Sequence, residues 1–236
     1  MKLPSYLDGC VFALDFGAGL TDGNLFKDSG PHGLHLTPVN FVAPNYGLVQ
    51  GPSGATCLRF NGTTQYAYMA AAAAARFYAR APTTTVTIAF VARHVLPAAG
   101  SFVFNARDIA TTRGLVVRYS TTEILNLRGQ DAGGVQTNLT DTNNIPLTGR
   151  TVISAYALDK TVLTGLIWHD GSGRAASIAG NTNPIAYDAG TAPTMGAQPG
   201  GGGYFNGDIY FAGLWSGPPW SLAEYQAFYR YWADRI

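Results

Sequence analysis

The chain is predicted to be all-β, with antiparallel strands arranged in two sheets packed face to face. Two observations predict this, and composition adds that a core can form. Runs of β-branched and aromatic residues alternate with the two-residue period of a strand. Polar turns separate these runs along most of the 236 residues. Hydrophobic residues make up 47% of the chain and charged residues 12%, about half the usual charged share. Such a chain buries a sizeable core and is not intrinsically disordered.

Each element has its own signal. Residues 69–80 hold six consecutive alanines, at 70–75, followed by Arg76, Phe77 and Tyr78. Alanine has the highest helix propensity, so a short helix is expected; too short to persist alone, it needs Phe77 and Tyr78 packed on the sandwich edge. In the run from Val86 to Arg93, the residues Val86, Ile88, Phe90 and Ala92 share one face of a strand. Residues 114–119 and 123–128 flank Ser120-Thr121-Thr122, a spacing suited to a hairpin. Residues 151–158 and 162–169 make a second hairpin around Asp159-Lys160-Thr161. Residues 196–203 end in four consecutive glycines and read as a surface loop, too short for an interdomain linker, so one domain is expected over 1–236. Last comes a helix with Ser221 as cap, Glu224 closing a capping box, and Trp220 facing Tyr225 as a hydrophobic staple. Leu222, Tyr225, Tyr229 and Trp232 form its apolar stripe, which predicts a helix sealing an open end of the sandwich.

Two separated sets of segments carry a family likeness. Near the start stand Leu14-Asp15-Phe16-Gly17-Ala18-Gly19, Lys27-Asp28-Ser29-Gly30 and Cys57-Leu58-Arg59-Phe60-Asn61-Gly62-Thr63-Thr64-Gln65-Tyr66. Near the end stand Gly203-Tyr204-Phe205-Asn206-Gly207-Asp208-Ile209-Tyr210-Phe211-Ala212-Gly213-Leu214-Trp215 and Ser221-Leu222-Ala223-Glu224-Tyr225. Their order resembles the laminin-G-like branch of the concanavalin A-like jelly rolls. That family shows an opening strand, an Asp-x-Ser-Gly turn, a Leu-x-Phe-Asp/Asn-Gly strand, an Asn-Gly closing strand and a short helix with Leu-x-x-Glu. The resemblance implies a two-sheet antiparallel jelly-roll sandwich with a short C-terminal helix, in a fold used mostly for binding. It also brings the strands of Cys10 and Cys57 near each other, so these cysteines read either as buried free thiols or as a bridge.

Hydrolases of that family resemble one another in a Glu-x-Asp-x-x-Glu or Glu-x-Asp-x-Glu strand, whose paired carboxyl groups flank one glycosidic bond. Here the two glutamates are Glu123 and Glu224, neither has an Asp two residues away, and Glu224 serves the helix start. Aspartates sit mostly in turns such as Asp22-Gly23, Asp28-Ser29-Gly30 and Asp170-Gly171, where the side chain bonds the following backbone. His32 and His35 lie three apart on a turn without a third metal ligand near in sequence. His94 and His169 each end a strand, and nothing in the sequence links them to a nucleophile. Gly171-Ser172-Gly173-Arg174-Ala175-Ala176 matches the dinucleotide fingerprint by letters but lies among strands without a βαβ unit. No catalytic residue and no metal site is assigned.

No cofactor is expected, calcium being the one ion the resemblance allows, with Asp15, Asp22, Asp28 and Asp208 in or near the matching segments. Sugar recognition in this fold class uses loop polar groups and an exposed aromatic. Tyr46, Tyr187 and Tyr204 are loop-borne and available, but the sequence names no glycan pocket. Asn61-Gly62-Thr63 and Asn138-Leu139-Thr140 fit the glycosylation sequon, the first fitting a plain turn as well.

Net charge is +1 and the arginines fall singly, so no footprint for nucleic acid or anionic membrane is visible. No run of about 18 apolar residues is present for membrane insertion, and residues 1–9 lack the apolar stretch of a signal peptide. The expectation is a non-catalytic, lectin-like binding or surface-decoration module on a phage virion, capsid or tail, contacting glycans; an extracellular location is the alternative. Two rivals stand beside it. One is a purely structural cement protein that binds capsid subunits and forms homo-oligomers. The other is an atypical glycoside hydrolase or lyase with an Asp site.

Overall fold

The computed structural model describes residues 9–95, 100–108, 110–119, 125–141, 148–176 and 178–236. The predicted turn at 120–122, Glu123 and the first eight residues lie outside this set. Sixteen strands among the described residues build two antiparallel sheets. The first sheet contains β1 (Cys10–Asp15), β3 (Leu48–Gln50), β4 (Thr56–Asn61), β6 (Thr85–His94), β11 (Thr151–Asp159), β12 (Thr164–His169), β13 (Ser172–Ala176) and β16 (Asn206–Ser216). Its order is β13-β12-β11-β6-β16-β4-β3, with β1 also paired to β16. The second runs β14-β10-β9-β8-β7-β15-β5-β2. Its strands are β2 (Leu36–Val39), β5 (Tyr66–Met69), β7 (Ser101–Arg107), β8 (Gly114–Tyr119), β9 (Leu125–Gln130), β10 (Gln136–Thr140), β14 (Ile178–Ala179) and β15 (Thr194–Met195). The all-β, two-sheet expectation is met, and both anticipated hairpins pair in antiparallel register.

Alternation decides which side chains meet between the sheets. In β6, Val86, Ile88, Phe90 and Ala92 enter the inter-sheet core, while Ala89 and Val91 face the other way. A chain of edge-on rings, Phe16, Phe26, Phe41, Phe60 and Phe205, runs through one end of that core at centroid spacings of 5.7, 5.5, 5.6 and 5.8 Å. Phe77 of the helix α1 (Ala71–Tyr78) is fully buried against Phe12 and Phe104, so this helix plugs into the core itself, beyond the edge contact predicted for it.

The second helix, α2 (Leu222–Ala233), corrects another expectation. It does not seal an end of the sandwich but lies on the outward face of the first sheet, forming a second core there. Tyr225 stacks on Trp168 of β12, and Phe228 and Trp232 pack on Phe211 of β16. The buried stripe is Tyr225, Phe228 and Trp232; Leu222 is 54% exposed and Phe228 takes its place, because the sheet sits on that side of the helix. The capping box forms as predicted, with Ser221 N donating to Glu224 Oε2 (2.6 Å) and Glu224 N donating to Ser221 Oγ (3.3 Å). Trp220 pairs its ring with Trp215 and Phe228, not with Tyr225, and its backbone N–H donates to Thr87 Oγ1 (3.2 Å), tying the helix start to β6.

Candidate functional site

The second sheet presents the candidate site on its outward face. Ala67, Phe104, Leu115, Val117, Leu127 and Leu139 of that sheet belong to the inter-sheet core, so the residues alternating with them point outward. One outward row crosses six strands in register: Tyr68 of β5, Thr194 of β15, Asn105 of β7, Val116 of β8, Arg128 of β9 and Asn138 of β10.

At the β5–β15 end of this row a cleft of about 530 Å³ opens, lined by Tyr66, Tyr68, Asp108, Thr191, Thr194 and Pro199 among others. Hydrogen bonds hold its walls. Thr191 Oγ1 donates to Asp108 Oδ2 (2.6 Å) and Thr111 N donates to Asp108 Oδ1 (2.6 Å). These bonds, that from Thr191 first, keep the Asp108 carboxyl below its ordinary range. From α1, the Tyr78 hydroxyl donates to the Thr191 carbonyl, and Thr194 Oγ1 donates to the Ala197 carbonyl (2.6 Å). The glycine loop completes the wall through Gly200. Residues 200–203 have φ of 80, 92, 98 and 55°, a left-handed run that glycine adopts without a Cβ clash. Two tyrosine rings therefore meet a fixed set of hydroxyls and carbonyls, and Asp108 is the one carboxylate among the described lining residues.

Beyond the cleft the same face turns cationic. Arg107, Arg118 and Arg128 come from three neighbouring strands and are each partly buried. Arg118 lies opposite Asn126, so Arg128 is its diagonal neighbour, roughly 7–8 Å away between Cα atoms. Burial first, and then the charge of Arg118, lowers the pKa of Arg107; burial, then Arg118 and Arg107, lowers that of Arg128. The groups remain cations, since guanidinium does not lose its proton in proteins. Their Nε atoms, with Asn105 Nδ2, Gln130 Oε1 and Asn138 Oδ1, are buried without a hydrogen-bond partner among the described residues. Such groups are normally satisfied by water or a ligand.

The residues singled out in the sequence fall mostly elsewhere. Tyr187 lies beneath the cleft wall, packed on Phe77 and Tyr78 with its hydroxyl donating to the Pro82 carbonyl (2.7 Å). Tyr46 packs half-buried against the inter-sheet core, and Tyr204 pairs its ring with Tyr66 at 6.4 Å, beside the cleft. Asp28 is taken up by the amides of Ala13 (2.9 Å), Gly30 (2.8 Å) and Leu34 (2.6 Å), and Asp208 by Arg59 (2.7 Å) and Arg93 (3.5 Å). Asp15 accepts from Gly17 N, and Asp22 is exposed. Among the described residues, no group of three or more His, Cys, Asp and Glu side chains gathers around one point. His35 Nδ1 accepts from Asp28 N (2.9 Å), a turn bond. Asn61 Oδ1 accepts from the amides of Thr63 and Thr64, so its sequon is a turn. The segment carrying the fingerprint letters forms β13. Cys10 and Cys57 are free and buried, with burial pushing both thiols up to about 12.

One reading is overturned: both strand-ending histidines do meet hydroxyls. His94 Nε2 lies 2.9 Å from Ser101 Oγ. His169 faces Ser154 across the β11–β12 pair, with Nδ1 2.7 Å from Ser154 Oγ and Nε2 2.5 Å from Asp141 Oδ2. Cross-strand register makes these links, which sequence spacing does not reveal. Ser154, His169 and Asp141 are all buried, so the set is an internal hydrogen-bond network, and Arg174 neutralises Asp141. Burial is the largest cause and lowers the His169 pKa to about 4, with the charge of Asp170 opposing it and that of Arg150 adding to it.

No protein-family model matches this sequence, and no curated protein matches it. Solved structures match at the level of fold. The binding domain of botulinum neurotoxin serotype G superimposes with a TM-score of 0.65 and 12% identity, over 95% of this chain and 51% of that one. Domain 4 of AbnA, a GH43 extracellular arabinanase from Geobacillus stearothermophilus solved with arabinotriose, gives 0.58 and 14%, over 93% and 97%. The binding domain of botulinum neurotoxin DC, solved with SialylT, gives 0.63 and 9%, over 95% and 52%. This chain spans about half the length of the neurotoxin binding domains it matches. The fold is a jelly-roll β-sandwich.

Proposed function

We propose that this chain is a non-catalytic, lectin-like glycan-binding module of the concanavalin A-like, laminin-G-like type, and that the outward face of its second sheet takes the glycan. The cleft carries the reading. It has the size of a small-ligand site, two tyrosines whose rings offer apolar faces and whose hydroxyls offer hydrogen bonds, and a wall of fixed polar groups. The likeness to modules solved with arabinotriose and with SialylT supports it. Glycoside hydrolysis requires two carboxyl groups across one bond, and the described lining offers Asp108, already engaged by Thr191 and Thr111. The low charge and abundance of short polar side chains favour a place on a virus particle, checked by looking for the chain in purified particles.

A glycan array probed with the purified protein tests the reading. Selective binding is expected, weakened about tenfold or more, equivalent to ~1.4 kcal/mol, by Tyr66→Ala or Tyr68→Ala. A blank array from folded protein overturns glycan binding and favours a structural decoration role. Polysaccharide turnover abolished by Asp108→Asn overturns the non-catalytic part.

A further inference from the structure

Three cations of one sign share the outward face beside the cleft, and among the described residues no carboxylate pairs with any of them. Half-buried like charges repel more strongly than solvated ones, and an anion docked among them relieves that repulsion. Guanidinium groups suit carboxylate and sulfate oxygens, which they bind through paired N–H donors. The neighbouring amides extend the offer: Asn105 is 1% exposed with Nδ2 unpartnered, and Gln130 is 6% exposed with Oε1 unpartnered. One is a donor and the other an acceptor, the two roles that sugar hydroxyls can match. Cleft and arginines are separated by three strand spacings, roughly 14 Å, a span that suits an extended oligosaccharide more than a single sugar, with Thr194, Asn105 and Val116 buried in the floor between them.

The geometry points to an acidic oligosaccharide as the ligand: a ring seated against Tyr66 and Tyr68, with carboxylate or sulfate groups farther along the chain received by Arg107, Arg118 and Arg128. This rests on the glycan-binding reading above. A nucleic acid fits less well, because the net charge is only +1 and the cationic patch is confined to three strands.

Matched probes test it by calorimetry on the whole chain: an oligogalacturonate against its methyl ester, and a heparin oligosaccharide against its desulfated form. At least one charged member is expected to bind about tenfold or more tighter than its neutral counterpart, and the two arms separate carboxylate from sulfate. That preference is expected to weaken with added salt and to vanish in the Arg118→Gln/Arg128→Gln variant, while Tyr66→Ala weakens charged and neutral forms alike. Equal affinity for charged and neutral members overturns the acidic ligand and leaves glycan binding standing. Absence of binding to any saccharide by folded protein overturns both. Equally tight binding of polyphosphate or single-stranded DNA overturns the saccharide assignment in favour of a general anion surface.

Discussion

The two sheets share one core but finish their outer faces in opposite ways. The first is sealed by its own chain: α2 lays Tyr225, Phe228 and Trp232 over Trp168 and Phe211, and the apolar surface is used up in folding. The second carries arginines and amides whose buried polar atoms have no partner among the described residues, beside a cleft with two tyrosines. Side chains of the first face serve stability. Those of the second leave buried donors and acceptors unpartnered among the described residues, which costs stability.

Mutations sharpen that contrast, and Phe228→Ala should have the largest effect. Removing a fully buried ring from the helix–sheet layer is expected to cost about 3–5 kcal/mol, measured by denaturant unfolding. A cost under about 1 kcal/mol would show that α2 merely rests on the sheet. Acid comes next. His169 is held neutral in the fold, with a pKa near 4 against the ordinary 6.5, so the unfolded chain takes up the proton more readily. Its contribution is complete above about pH 6.5 and is lost as the pH falls towards 4. Stability measured across that window should fall, and His169→Gln should flatten the slope even though it lowers stability overall. Ser221→Ala, which removes the helix cap, should cost about 1 kcal/mol. Smallest is the Arg118→Gln/Arg128→Gln variant, expected to stay within about 0.5 kcal/mol of the parent or to gain slightly as repulsion is relieved. A loss of several kcal/mol there would show that the arginines hold the sheet together, and the contrast would collapse.

What could be read from the sequence follows the range of the interactions. The capping box of Ser221 and Glu224 spans three residues, and the alternation of Val86, Ile88, Phe90 and Ala92 repeats every two, so both were legible. Phe228 was missed because helical spacing alone does not say which side of α2 meets a sheet. The arginines were missed for a related reason. Counted along the chain they fall singly, and a net charge of +1 averages them away. Yet Arg118 and Arg128 each alternate with core residues, Val117 and Tyr119 on one strand and Leu127 on the other, and belong to a hairpin that was anticipated. Writing that hairpin out in register would have set the two on one face. Thr191 and Gly200 join the cleft through long loops, for which no short-range pattern exists.

The place of β16 has a consequence in time. It lies in the middle of the first sheet, between β6 and β4, and also holds β1, although it spans residues 206–216 of 236. While the chain is being synthesised, that sheet exists only as separate pieces, β13-β12-β11-β6 and β4-β3, with β1 unattached. The meander β7-β8-β9-β10, made of neighbours in sequence, needs no such wait. That meander can therefore take shape early, whereas the first sheet waits for β16, and the second sheet's own join between β7 and β5 waits for β15 (Thr194–Met195).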